Sequence, residues 1–356
     1  MTPLYLLVDY KNRFGSKWRE NPYRSGYDHR LLAECYARYG LAVEYVPCAE
    51  VFSRPRQWEG QLVMYTSSEE IGNNYKPYIE DIIYGLEEAG ARVMPRAAFL
   101  RAHHNKVFME LLRDQLLGEE LTGLKSRCFG TLEELAAALE KDEIPLPCVL
   151  KPALGAMSRG VTKATTVQEL IEKAKRLSRT PHRLYELRDF LRSKKVPGYR
   201  RESRYQGRFI VQPLIPGLSA DWKVLVYGDQ YYVLKRHVRP GDFRASGSHN
   251  NYLPGRHAGI PDVVLSLVEQ VYRRLDVPHL SVDVAFDGKR PYLFEFQALY
   301  FGTSTHDLCE EYFTTEKDRW VFRKKTMNEE EVVAWGTAHY LGRHREPAPA
   351  YPSQQS

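Results

Sequence analysis

Ser281-Val-Asp-Val-Ala-Phe-Asp-Gly-Lys-Arg-Pro-Tyr-Leu-Phe-Glu-Phe-Gln297 holds the sharpest pattern in the chain. Two runs, Ser281–Phe286 and Tyr292–Phe296, flank Asp287-Gly288-Lys289-Arg290, which predicts a β-hairpin. In an antiparallel hairpin the indices of facing residues have a constant sum. A turn centred near Lys289 sets Asp283 opposite Glu295, with Gln297 on the same face. Val282, Val284, Phe294 and Phe296 then form the other, apolar face. Two carboxylates directly opposed repel unless something compensates them. A divalent cation held by oxygen ligands would do so, and magnesium commonly takes one or two protein carboxylates plus substrate phosphates.

Upstream, Cys148–Lys151 reads as a strand that runs into Lys151-Pro-Ala-Leu-Gly155-Ala-Met-Ser158-Arg159-Gly160-Val161. Glycines and a serine let backbone N–H groups approach an anion closely. The loop contains G-x-x-x-x-G, but Val161 follows where a Walker A loop needs Lys. Lys151, at the end of a strand, fits a phosphate-facing charge better than a packed layer. Lys106 lies at a helix start and in isolation reads as a solvated lysine.

Lys223–Tyr227 and Tyr231–Lys235 flank Gly228-Asp229, a second hairpin signal. A three-residue turn would set Lys223 against Lys235; a two-residue turn would not. The run from Lys235 through Arg236, His237, Arg239, Arg244 and Ser246 to His249, Asn250 and Asn251 concentrates cations and small polar groups. Such a run suits a carboxylate and a transferring phosphoryl group.

The first hundred residues alternate strand and helix signals, which predicts an open α/β sheet. Leu4–Val8, Leu41–Val46, Gln61–Tyr65 and Val93–Met94 read as strands; 27–39 and Tyr78–Ala89 read as helices. His104–Leu117 is predicted as one helix. Thr131-Leu-Glu-Glu134 and Thr166-Val-Gln-Glu169 are capping-box starts. A short helix is expected around Tyr185–Arg192, and further helices over Val263–Leu275 and Glu329–Leu341.

The chain has 356 residues, 43% apolar and 27% charged, too apolar for a disordered polypeptide. The five cysteines are odd in number and form no C-x-x-C, which argues against a disulfide framework or a cysteine zinc site. With no signal-peptide pattern and no long apolar run, a cytoplasmic protein is expected. Net charge is +6 but uneven: 173–208 carries 13 Lys and Arg against 3 Asp and Glu, so the remainder is acidic. That patch suggests an acidic partner, a nucleotide or a nucleic acid.

The order of these motifs resembles the ATP-grasp superfamily, and within it the RimK-type and glutathione-synthetase-like carboxylate–amine ligases. The resemblance covers about residues 100–310 and rests most on Lys151–Val161, Gly241–Ser246, and Asp283 with Glu295. It implies an α/β ATP-grasp fold with an N-terminal Rossmann-like (pre-ATP-grasp) domain over 1–100. A lid domain over 101–212 would carry the basic insertion 173–208. A core with the metal site would follow over 213–345, and a flexible tail over 346–356.

The resemblance also implies ATP and Mg2+ (or Mn2+) as cofactors. Lys106, Lys151 and Lys235 would contact the phosphates beside a loop bearing Gly155, Ser158 and Gly160. Gln212, Pro213 and Leu214 would border the adenine, and Asp221 the ribose. Lys223, Arg236 and Arg244 would act beside the acyl phosphate. Asp283, Glu295 and Gln297 would hold the metal, although the family's motif usually ends Glu-x-Asn. The implied partners are a carboxylate and an amine, either an amino acid or a peptide.

The sequence leaves two rival functions open, a phosphotransferase on the same site and a nucleic-acid binder using the insertion. It leaves open a homo-oligomer too. Asp9, Tyr10, Ser67, Ser68 and Glu69 follow strand ends of the first domain, where open α/β sheets bind ligands. Glu69 is the expected attractor of an ammonium group.

Overall fold

The structure is a computed structural model. It describes residues 1–15, 17, 25–53, 58–70, 72, 74–155, 159–180, 182–239, 241–245 and 252–344. Ser158, Ser246 and the tail 346–356 lie outside the described residues.

The first layer is a parallel sheet. Its elements are β1 (Thr2–Val8), α1 (His29–Ala37), β2 (Leu41–Pro47), β3 (Leu62–Tyr65), α2 (Tyr75–Glu88) and β4 (Arg92–Met94). The strands run in the order β2-β1-β3-β4, so the chain reverses direction across the sheet on either side of β1. Asp28 caps α1 by accepting from the Leu31 N–H, a carboxylate satisfying an orphan donor of the first turn.

The helix expected over 104–117 is two helices, α3 (Ala97–His104) and α4 (Lys106–Leu116). Asn105 is extended between them, and its side chain caps α4 at the Phe108 N–H. Its cap chemistry, an Asn before an apolar-periodic run, was visible in the sequence but did not mark a break. The short α5 (Gly118–Thr122) follows.

The middle layer contains β5 (Arg127–Phe129), α6 (Leu132–Glu140), β6 (Cys148–Pro152), β7 (Thr162–Ala164), α7 (Val167–Ser178), α8 (Arg183–Lys195) and β8 (Phe209–Pro213). Its antiparallel order is β5-β8-β6-β7. The Thr131–Glu134 capping box forms in full. At Thr166 the hydroxyl accepts from Glu169, but the Glu169 carboxylate turns back to Thr165 instead. Phe129, Leu135, Leu150, Leu170, Phe209 and Val211 give this layer a core of its own. Met109 and Leu112 of α4 belong to the main core, while Glu110 of the same helix meets Gln212 of β8, so α4 packs against both the base and the middle sheet. In the basic stretch, Glu186 pairs with Arg179 and Arg204, and Asp189 with Arg201, leaving most of its cations in solvent.

The base is a seven-stranded antiparallel sheet of β9 (Ala220–Tyr227), β10 (Gln230–His237), β11 (Leu253–Pro254), β12 (His279–Phe286), β13 (Pro291–Gln297), β14 (Glu311–Glu316) and β15 (Arg319–Lys324). Three helices lie between or after these strands: α9 (Asp262–Leu275), α10 (Ser304–Leu308) and α11 (Glu329–Arg343). Val224 and Val226 of β9 share the main core with Val264, Val268 and Val271 of α9. Leu225 and Tyr227, one step out of phase, pack with Val332 and Val333 of α11. This period-2 division covers both faces at the sheet's apolar end. At the other end of the same strands Asp221, Lys223 and Arg236 replace apolar residues.

Candidate active site

A cavity of about 320 Å³ opens between the middle sheet and the base. That size is typical of small-molecule sites. One part is apolar, with Leu124, Val149, Val161, Leu214, Leu218 and Phe294. The other is ionic, with Lys106, Lys151, Arg159 and Arg244 near Asp221, Asp283 and Glu295. Gly155, Gln212 and Pro213 also line it.

Asp283 pairs with Glu295 across β12 and β13, the register expected from the sequence. A bulge follows immediately: Val284 pairs with Leu293, leaving Phe294 as the extra residue. A bulge breaks the alternation of faces. Phe294 therefore lines the cavity together with Glu295, and not the apolar side assigned to it by strict alternation. Gln297 sits opposite Ser281 and is not among the cavity's lining residues.

The base wall balances its own charge. Arg236 is bidentate to Asp221, with Nε donating at 2.7 Å and Nη2 at 2.9 Å. The same Nη2 lies 3.0 Å from Asp283 Oδ2. Lys223 Nζ is 3.6 Å from Asp283 Oδ1, an oxygen with no hydrogen-bond partner. Burial alone would raise the Asp283 carboxyl, but Arg236 and Lys223 outweigh it and hold its pKa below the usual carboxylate value. Asp221 has only one such cation in contact, and burial pushes its carboxyl upward. Arg236 supports the carboxylates and is not itself among the lining residues.

The turn between β9 and β10 has two residues, with Tyr227 paired to Gln230. Lys223 therefore faces Leu234, and Lys235 faces Trp222. Lys235 lies 5.5 Å from the Trp222 ring, on the opposite side of the sheet from Lys223, and does not line the cavity.

The lid wall is different. Lys151, the penultimate residue of β6, lies beside the Phe294 ring, 5.9 Å from its centroid. It has no hydrogen bond or ion pair among the described residues. Burial disfavours its ammonium form and lowers its pKa, although Glu110 and Glu295 pull the other way. Lys106 bridges the two walls, donating to the Gly155 carbonyl at 2.9 Å and to Glu295 Oε1 at 3.1 Å. Gly155 has φ +125°, a conformation that side chains with a Cβ rarely adopt. A Cβ at Gly160 would also sit 3.1 Å from the Pro152 ring.

Several site residues were missed in the sequence. Glu110 of α4 is buried against Arg113 at 2.5 Å and accepts from Gln212 Nε2 at 3.0 Å. Gln212 also donates to Ser126 Oγ at 2.6 Å. This network anchors the strand that leads through Pro213 and Leu214 along the cavity. The Leu214 N–H itself donates to the Pro147 carbonyl. The signal for Glu110 was an i,i+3 Glu–Arg pair, which on most helices is a solvated face. Arg159 lay inside the quoted loop without an assigned role. Arg244 lines the cavity, yet its guanidinium is held by Asp242 at 2.8 Å. That contact, with the Phe243 and Arg244 N–H groups, lowers the Asp242 carboxyl to about 2.

At the N-terminal strand ends the two carboxylates are internally satisfied, whereas the buried Ser67 Oγ has no hydrogen-bond partner. Asp9 accepts from the Lys11 and Arg13 N–H groups and pairs with the Arg13 guanidinium at 2.7 Å. Glu69 already holds a cation: buried Lys76 donates to it at 2.5 Å.

No family model matches the chain. Among solved structures it resembles D-cycloserine synthetase, at 12% identity and TM-score 0.54, over 95% of this chain and 99% of that one. It also resembles a RiPP-associated ATP-grasp ligase of Chryseobacterium gregarium, solved with ADP and a leader and core peptide. That match is 12% identical with TM-score 0.53, over 98% of each chain. The fold is therefore the ATP-grasp fold. Among curated proteins it is similar to the alanine–anticapsin ligase of Bacillus subtilis strain 168, 29% identical over 143 residues. The match takes in 40% of this chain and only 27% of that relative's length. No helix among the described residues is long and apolar enough to cross a membrane. The five cysteines are free thiols.

Proposed function

We propose that the protein is an ATP-dependent carboxylate–amine ligase, ADP-forming, working through an acyl phosphate. The carrying observation is the unpartnered Lys151 on the lid wall, facing a cavity whose base wall already balances its own charges. A half-buried cation without a hydrogen-bonding partner favours an anion that completes it. A polyphosphate running from the apolar slot toward Lys151, Lys106 and Arg159 supplies that anion. The slot bordered by Gln212, Pro213 and Leu214 then takes the nucleobase.

Asp283 and Glu295 fit a divalent cation: Asp283 Oδ1 is buried without a hydrogen bond, and Glu295 lies directly across the hairpin. They would hold magnesium, or manganese in its place, which when bound would supply charge neutralisation to the phosphates. Gln297 has no part in this reading, and neither does Lys235. Lys106 and Lys151 hold the phosphates in line with the incoming carboxylate. A carboxylate oxygen attacks the γ-phosphorus and ADP leaves. The amine nitrogen then attacks the acyl carbon, phosphate departs, and the nitrogen loses a proton to give the amide. Arg244, oriented by Asp242, stands at the rim where charge develops on the acyl phosphate.

The activities of the similar proteins support the reading, since two are ligases and one a synthetase. The test is ADP release from ATP over pooled amino acids and peptides, with mass spectrometry of the products. An amide formed with equal ADP supports the ligase. A stable phosphorylated product makes the protein a phosphotransferase, and ATP-independent binding of nucleic acid alone removes the enzyme reading.

A further inference from the structure

A second group of ligating side chains sits on the same face of the base sheet as Asp221 and Arg236. His306 of α10 meets the Tyr232 ring edge-on, with ring centroids 4.7 Å apart. Tyr232 precedes Arg236 by four residues on β10, roughly 13 Å at about 3.3 Å per residue. Asp307 follows His306 on the same short helix, and Glu329 opens α11. One ligand atom from each of the three lies within 4.8 Å of the others.

The independent sign is the state of His306. It is 3% exposed, yet neither ring nitrogen makes a well-formed hydrogen bond, the Met327 main chain offering only a weak one. Glu329 Oε2 is likewise buried, with the Thr303 hydroxyl and the Asp307 carboxyl beside it but no well-formed hydrogen bond to either. Buried polar atoms are nearly always satisfied, so two such atoms converging call for a partner. The three residues line one cavity of about 530 Å³ with Lys17 and Lys325. Those cations are already engaged: Lys17 pairs with Glu330 at 2.7 Å, and Lys325 donates to the His306 carbonyl at 2.6 Å.

We propose that His306, Asp307 and Glu329 form a divalent transition-metal site of the zinc type, separate from the nucleotide cavity. One imidazole nitrogen and two carboxylate oxygens match zinc better than magnesium, which prefers oxygen and water. Three protein ligands leave one position open to the cavity. The ion would clamp α10 to the start of α11, two elements that flank the base sheet, and so bind the folded chain in preference to the unfolded one.

The test is calorimetric titration of chelator-stripped protein with Zn2+ alone, in a Glu295→Gln background that breaks the carboxylate pair of the nucleotide cavity and leaves the Arg236 cluster intact. One Zn2+ per chain should still bind and raise the melting temperature. His306→Asn and Glu329→Gln should each weaken it by at least roughly 10–100-fold and remove the thermal shift, because losing a direct ligand costs no less than losing a supporting partner. If buried His306→Asn fails to fold, the less buried Glu329→Gln carries the result. No Zn2+ bound in the background protein, or an affinity unchanged by Glu329→Gln, overturns the site.

Discussion

The two walls of the cavity between the middle sheet and the base treat a cation in opposite ways. On the base, Arg236 is 6% exposed and shared between two carboxylates, with Lys223 beside the second. On the lid, Lys151 stands next to last in its strand with Phe294 beside it and no carboxylate in contact. A satisfied ion cluster contributes position: it holds Asp283 in its ionised form and fixed in place. An unsatisfied cation would contribute affinity, because in the proposed function its missing partner is the ligand. The difference separates the parts that build the site from those that grip what enters it.

The sharpest break in that comparison is Arg236→Ala. It leaves Asp221 and Asp283 buried with one lysine between them, and stability should fall by about 3–5 kcal/mol, as when one partner of a buried pair is removed. Denaturant midpoints measure this; a loss below about 1 kcal/mol would show that the base wall does not depend on the arginine. Next is Glu295→Gln, which keeps the shape and removes a charge. ADP formation should drop roughly 10²–10³-fold, the effect of deleting one electrostatic stabiliser at a reacting centre, with the melting temperature nearly unchanged. Near-normal turnover would take Glu295 out of the chemistry.

The smallest effect concerns pH and Lys151. Its folded pKa lies below the ordinary lysine value. Between the two values the unfolded chain binds more protons, so wild-type stability rises with pH across that window. The cost of the buried ammonium is therefore present at neutral pH and gone above the ordinary lysine pKa of about 10.4. Lys151→Met should be the more stable protein at pH 7, with the gap closing as pH rises toward that value. Melting temperatures of both proteins across the range check the sign. A gap that widens with pH would mean that Glu110 and Glu295 already satisfy the lysine.

The hairpin register at Asp283 and Glu295 was legible because a turn and two alternating runs determine which residues face each other. The bulge at Phe294 was not, since no glycine or proline marks it and only the packing of the cavity reveals its purpose. The turn at Gly228-Asp229 admitted two lengths, and the choice between them moved Lys235 to the other side of the sheet. Glu110 was hidden because a charged i,i+3 pair on an amphipathic helix looks the same whether it meets solvent or a neighbouring strand. The strands β5, β14 and β15 were missed for another reason. β5 is three residues long and pairs with the distant β8. β14 and β15 form a hairpin around the two-residue turn Lys317-Asp318, but charged residues such as Glu311 and Arg319 hid the strand pattern. Lys151, by contrast, could be singled out early, because a lysine closing an apolar strand has no local explanation.

The central claim is that this unpartnered lysine awaits a nucleotide's phosphates. Isothermal calorimetry of ATP with magnesium against the wild type and Lys151→Met tests it directly. One ATP should bind the wild type, and the variant, still folded, should bind it more weakly by about 1.5–3 kcal/mol, the worth of a hydrogen bond to a charged group. Equal affinities in the two proteins would contradict the assignment of the cavity.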